Sequence, residues 1–116
     1  MRVAVPSDGG FEGNAVPLNK ASGIAVAQIG PDGIKEVKVI RPGEDIIGEI
    51  GKEGVELLIA PEVPEEAVAK LSSLGIKTLT GVRGRVRDVL SWAMKEAIRA
   101  GLSAFAKGTM FMGRGQ

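Results

Sequence analysis

Apolar and polar positions follow two different periods along this chain, and the change of period marks its elements. Residues 2–6 alternate in a β-branched run that predicts a strand, ended by the turn-forming sequence Pro6-Ser7-Asp8-Gly9-Gly10. After a loop holding Gly13, Asn14 and Pro17, residues 22–29 predict a second strand and residues 34–41 a third. Gly30-Pro31-Asp32-Gly33 lies between them and has the chemistry of a hairpin turn. In the third strand Ile34, Val37, Val39 and Ile40 are mixed with Lys35, Glu36 and Lys38, so one of its faces is expected to meet water. Pro42-Gly43 ends it.

The period then lengthens. Residues 44–53 place Ile46, Ile47 and Ile50 on one side of a short helix, although Gly48 and Gly51 each cost about 1 kcal/mol relative to Ala in a helix interior. The run Val55 to Ala60, broken only by Glu56, predicts a buried strand. Pro61-Glu62-Val63-Pro64 leads from it into a helix over 65–74 with Ala67, Val68, Leu71 and Leu74 as the inward stripe and Gly75 as its closing residue. Residues 76–80 predict another strand, and this strand, helix, strand order implies a parallel pair with a right-handed crossover. Gly81-Val82-Arg83-Gly84 then turns the chain into the longest helix, 85–100. Its stripe is Val86, Val89, Leu90, Ala93, Ala97 and Ile98, with Trp92 at the edge as a packing residue. Residues 1–100 thus read as one domain, and 101–116 as a Gly/Met-rich C-terminal tail, flexible at least in part.

Composition narrows the chemistry. A chain of 116 residues supports one core. With 44% hydrophobic and 3% aromatic residues, that core is aliphatic, which suits an α/β fold with a buried sheet. Cysteine, histidine and tyrosine are absent, so the side chains behind most metal ligation, thiol chemistry and neutral-pH proton transfer are missing. Any site is built from carboxylates, Lys, Arg, hydroxyls, Met thioethers and backbone amides. That set points to binding or assembly, and the expectation is a protein that is not an enzyme. The lack of cysteine excludes a disulfide framework and fits a reducing cytosol. No leader-like apolar segment or membrane-length run is present, so a cytoplasmic protein with no membrane partner is expected.

Charge is uneven although the net value is +1. Residues 44–70 hold eight acids against two bases, and residues 81–116 hold seven bases against two acids. The basic half contains the leading candidate site: Gly81, Arg83, Gly84, Arg85 and Arg87, at the positive end of the longest helix. Glycines there permit close backbone approach, and a cluster, phosphate or carboxylate could dock on the amides and guanidinium groups. The plainer account is that the glycines make a turn and the arginines solubilise a helix end. Three positive charges at a helix N-terminus oppose its dipole, however, so stabilisation alone does not explain them. Lys20 and Asn19 would join this site if the fold brings their loop near it.

Other chemistry is less well supplied. Asp8, Glu62 and Asp88 are too few and too scattered for a two-metal nuclease centre. Seven bases in the last 36 residues could contact nucleic acid, but no basic and aromatic interleaving accompanies them, which leaves nucleic acid the weaker partner. Met94, Met110 and Met112 lack the His or Cys that would complete a soft-metal set. Phe105, Met110, Phe111 and Met112 could form an apolar patch for a protein partner or a second copy, which makes an interaction module acting through the basic helix and tail the competing reading.

Two stretches resemble the dinitrogenase iron-molybdenum cofactor biosynthesis family: Met1-Arg-Val-Ala-Val-Pro-Ser-Asp8 and Gly75-Ile-Lys-Thr-Leu-Thr-Gly-Val-Arg-Gly-Arg-Val86. The resemblance covers about residues 1 to 100, and the Met110-Phe-Met-Gly-Arg-Gly-Gln116 tail is similar in composition only. It implies a three-layer ribonuclease H-like motif, a five-stranded mixed sheet with helices on both faces. It also implies a nitrogenase accessory factor-like protein that carries an iron-sulfur or iron-molybdenum type cluster. Members commonly have a His-Phe-Gly stretch before the hairpin, whereas this chain has Ala15-Val-Pro-Leu-Asn-Lys-Ala21, with Pro17 about where the histidine falls. The resemblance therefore implies a divergent member lacking that ligand. A Gly-rich turn commonly follows the strand that corresponds to Val55–Ala60. Here Pro61 and Pro64 remove two N–H donors, while Glu62, Glu65 and Glu66 repel an anion.

Overall fold

The computed structural model describes residues 1–100; the tail expected at 101–116 lies outside the described residues. Five strands form one mixed sheet: β1 (Arg2–Ser7), β2 (Gly23–Gly30), β3 (Gly33–Ile40), β4 (Leu57–Ile59) and β5 (Lys77–Leu79). Their spatial order is β3-β2-β1-β4-β5. Strand β2 runs antiparallel to both neighbours, while β1, β4 and β5 are parallel, which is the ribonuclease H-like arrangement. Three helices connect and cover the sheet: α1 (Ile46–Lys52), α2 (Glu65–Ser73) and α3 (Val86–Ala100). No helix among the described residues is long and apolar enough to cross a membrane.

Period-two alternation sorts the strands onto two cores. Val3, Val5, Ala25, Ala27, Ile29, Leu57 and Ile59 face α3, which contributes Val86, Val89, Leu90, Ala93 and Ala97. Ala4, Ile24, Val26, Ile40 and Leu58 face the other way, onto Ile50 of α1 and Ala67 and Leu71 of α2. Helices on both faces make three layers.

Pro6 lies inside β1 rather than ending it, paired with Ile24. Its side of the strand faces β4, whose pairing stops at Ala4, so the missing N–H removes no ladder bond. The Pro6 carbonyl accepts from Val16 N instead, at 3.0 Å. In the hairpin turn, Pro31 and Asp32 keep negative φ and Gly33 takes the left-handed position at φ +124. Strand β3 is one edge of the sheet, with a bulge opposite Val26 and Ala27; Lys35 and Lys38 on it discourage pairing with another chain.

The two costly glycines of α1 have packing reasons. Asp45 caps this helix by accepting from Gly48 N at 3.1 Å, and a Cβ on Gly48 would run into that carboxylate. A Cβ on Gly51 would lie 3.3 Å from Leu74 Cδ1, so its absence lets α1 approach α2. Helix α2 ends in a Schellman motif, with Ile76 N donating to Leu71 O and Gly75 N to Ser72 O, both at 2.9 Å. Gly75 supplies the positive φ, +80.

Two residues expected in helix stripes are instead exposed. Leu74 is 53% exposed because it is the capping residue beyond the last turn of α2. Ile98 is 61% exposed because it lies one residue, about 100° of helix rotation, past Ala97, which takes the buried seam position. Trp92 is half-buried at the margin of the α3 core, as its place on the stripe's edge predicts.

Candidate functional site

The parallel strands β1 and β4 are adjacent, but β1 continues to one side of the sheet and β4 to the other. Their C-terminal ends therefore frame a topological switch point, the usual ligand crevice in open α/β sheets. In this chain its mouth is crossed by the chain itself. Val16 N donates to Pro6 O at 3.0 Å beyond β1, and Leu18 N donates to Glu62 O at 3.1 Å beyond β4. Leu18 is buried beneath the crossing. A ligand reaching this edge meets the loops lying over the crevice.

Two loops form that surface. The loop after β1 is folded by its own polar groups: buried Ser7 Oγ donates to Gly10 O at 2.7 Å and accepts from Gly9 N at 3.0 Å, and Asp8 Oδ1 accepts from Asn14 N at 2.8 Å. The second is the Gly81–Gly84 turn after β5, anchored by Gly81 N donating to Pro61 O at 2.9 Å. The two are stitched together where α3 begins. Ala15 N donates to Gly84 O at 2.8 Å and Val86 N donates to Gly13 O at 3.0 Å, a short bridge between Asn14 and Arg85.

These bonds leave the N–H groups of Arg83, Gly84 and Arg85 without a partner among the described residues. Gly81 and Gly84 have φ +83 and +122, and a Cβ at either would meet nothing within 4 Å. Backbone conformation, then, demands glycine at both positions. The result is an exposed turn with three open amides, two exposed arginines and the positive end of α3's dipole. Beside it lies a cleft of about 420 Å³ lined by Gly81, Val82, Arg83, Asp88, Val89 and Trp92.

The predicted site residues divide into three groups. Gly81, Arg83, Gly84 and Arg85 share the turn. Arg87 is engaged elsewhere: its guanidinium donates to the Glu12 carboxylate and, at 2.6 Å, to Glu36 Oε2. The hydrogen bond from Arg87 to Glu12, reinforced by the charge of Arg87 and then of Arg85, holds the Glu12 carboxyl below its usual range. The bonds to Glu12 and Glu36 raise Arg87 above its ordinary value. Lys20 ends a 3-10 turn, Leu18–Lys20, with no bond joining its side chain to the Gly81–Arg85 turn. Asn19 lines a separate cleft of about 240 Å³ with Glu62, Val63 and Pro64.

The acids weighed for a nuclease centre lie in three places: Asp8 bonded to Asn14, Glu62 beside Asn19, and Asp88 in the Trp92 cleft. Among the described residues no three carboxylates gather in a way that could hold a metal ion. The turn's residues therefore suit an anionic body held by charge and amide hydrogen bonds better than a metal held by direct ligands.

No family model and no curated protein matches this chain. Solved structures do share its fold. The protein PH0822 is 27% identical, with a TM-score of 0.72 over 93% of this chain and 92% of its own. A protein from Methanocaldococcus jannaschii, provisionally named a dinitrogenase, is 23% identical, with a TM-score of 0.68 over 82% of this chain and 88% of its own. A Thermotoga protein provisionally named NifB, placed in the DUF35 family, is 22% identical, with a TM-score of 0.63 over 86% of this chain and 88% of its own.

Proposed function

We propose that this chain is a cytoplasmic, non-enzymatic accessory protein that holds a preformed anionic metal-sulfur cluster, of iron-sulfur or iron-molybdenum type, and passes it to a protein partner. The observation that carries this reading is the Gly81–Arg85 turn, where three open amides and two exposed arginines face solvent at a helix start. Fold likeness to proteins provisionally named a dinitrogenase and NifB supports the choice of cluster over other anions. The cluster is cargo in this account. Its sulfide edge accepts hydrogen bonds from the turn, while Arg83 and Arg85 balance its charge.

The absence of histidine and cysteine has a consequence for how the cargo is held. With no strong soft-metal ligand, retention rests on hydrogen bonds and charge, so it weakens with salt and release needs no covalent step. The test is anaerobic loading with an iron-sulfur cluster or a molybdenum-containing precursor, followed by desalting and metal analysis. Wild type retains metal and visible absorption, and R83A/R85A loses both. Equal retention by the two proteins would place the cargo elsewhere.

A second reading has its own observation. The outer face of α3 exposes Ile98 next to the charged Lys95 and Arg99, which supports an interaction module acting through the basic helix. Wild-type protein that retains no metal yet loses a partner on I98D substitution would favour it.

A further inference from the structure

Arg87 lies beside the candidate anion seat but is bonded away from it. One terminal nitrogen reaches Glu36 on the edge strand β3, and the other reaches Glu12 on the 3-10 turn Gly10–Glu12. A single side chain thus ties α3 to two elements separated from it by 51 and 75 residues.

The turn it grips is coupled directly to the seat. Gly13 follows Glu12 at once, and its carbonyl accepts from Val86 N at 3.0 Å; two residues on, Ala15 N donates to Gly84 O at 2.8 Å. These bonds fix the residues on either side of Arg85. Glu12 and Gly13 belong to one compact turn: Glu12 N donates to Gly9 O at 3.2 Å, Gly13 N donates to Gly10 O at 3.4 Å, and a Cβ on Gly13 would lie 2.6 Å from Gly9 Cα. Displacing Glu12 therefore moves Gly13, and with it the start of α3.

We propose that Arg87 is a positioning residue: by bracing Glu12 and Glu36 it seats the Asp8–Ala15 loop against the start of α3 and so aims the Arg83, Gly84 and Arg85 amides. The anion-holding half of this inference rests on the function proposed above; the bracing half does not. A direct role in anion contact would require Arg87 to abandon two carboxylates.

Two carboxylate substitutions separate the alternatives. E12Q/E36Q keeps all three arginines and frees Arg87 from both ion pairs, whereas R87A removes the brace itself. Amide hydrogen exchange at Ala15 and Val86 reads the loop-to-helix bonds, and retention of tetrathiomolybdate, a simple molybdenum-sulfide anion, reads the seat. Exchange at both amides is expected to quicken about two- to tenfold in each variant, the range for losing exposed ion pairs. Retention is expected to fall in both, while R83A/R85A loses retention without faster exchange. Loss of retention in R87A with unchanged or raised retention in E12Q/E36Q would make Arg87 a direct contact and overturn the proposal. Unchanged exchange at both amides in both variants would overturn it as well. Faster exchange in a chain whose wild type retains no anion would uphold the brace and sink the seat, so the two failures are distinguishable.

Discussion

Helices α2 and α3 leave the same edge of the sheet after neighbouring parallel strands, yet their starts carry opposite chemistry. At α2, Pro64 is the N-cap residue and its carbonyl accepts from Ala67 N and Val68 N, while Glu65 and Glu66 occupy the first turn. Those acids match the positive end of the dipole and close that helix start to anions. At α3, Arg83 and Arg85 stand before the first turn, against the dipole, and three amides stay open. Among the described residues amide donors stay unpaired at both starts, those of Glu65 and Glu66 at α2 included, and Asp88 adds one acid to the first turn of α3. What separates the two is the charge beside those amides, acidic at α2 and basic along the Gly81–Arg85 turn that precedes α3.

Substitutions at the two helices test how far this contrast is one of end chemistry alone. The largest effect is expected in the two cores: Leu71→Ala on α2 and Leu90→Ala on α3 each remove a buried side chain, one on either face of the sheet, at a cost of about 2–5 kcal/mol in denaturant unfolding. Similar losses would show the helices to be equally anchored. A much smaller loss for L90A would mean that α3 is weakly packed and that its open amides reflect fraying.

At the α3 start, Arg85→Ser installs a hydroxyl at the capping position. Stability is expected to rise by about 0.5–1 kcal/mol while anion retention falls. A variant that loses stability would indicate that Arg85 already serves the fold. The smallest effect belongs to E65Q/E66Q, which gives up favourable dipole interactions at α2 worth about 0.3–1 kcal/mol in low salt and almost nothing in high salt. A salt-independent loss would contradict a dipole origin.

The elements were legible because their signals are local. Aliphatic runs of period two gave the strands, and the Gly75 and Pro42-Gly43 stops marked where elements end. Parallel pairing of β4 and β5 followed from the helix between them. Errors arose where packing decides: Ile98 and Leu74 fit an apolar pattern but lie just beyond the surfaces that could bury them. Pro6 looked like a strand end because sequence does not disclose that β4 stops short of it. The candidate turn was visible from its glycines and arginines. What Arg87 does was not, because its partners Glu12 and Glu36 are brought to it only by the sheet and the loop after β1.

The central claim is that the start of α3, and not that of α2, receives an anionic metal-sulfur group. Titrating the isotopically labelled protein with tetrathiomolybdate while following backbone amide resonances tests it most directly. The account predicts saturable shifts at Arg83, Gly84 and Arg85, suppressed by salt, with Glu65 and Glu66 unmoved. No shift at the α3 turn, or equal shifts at both helix starts, would contradict it.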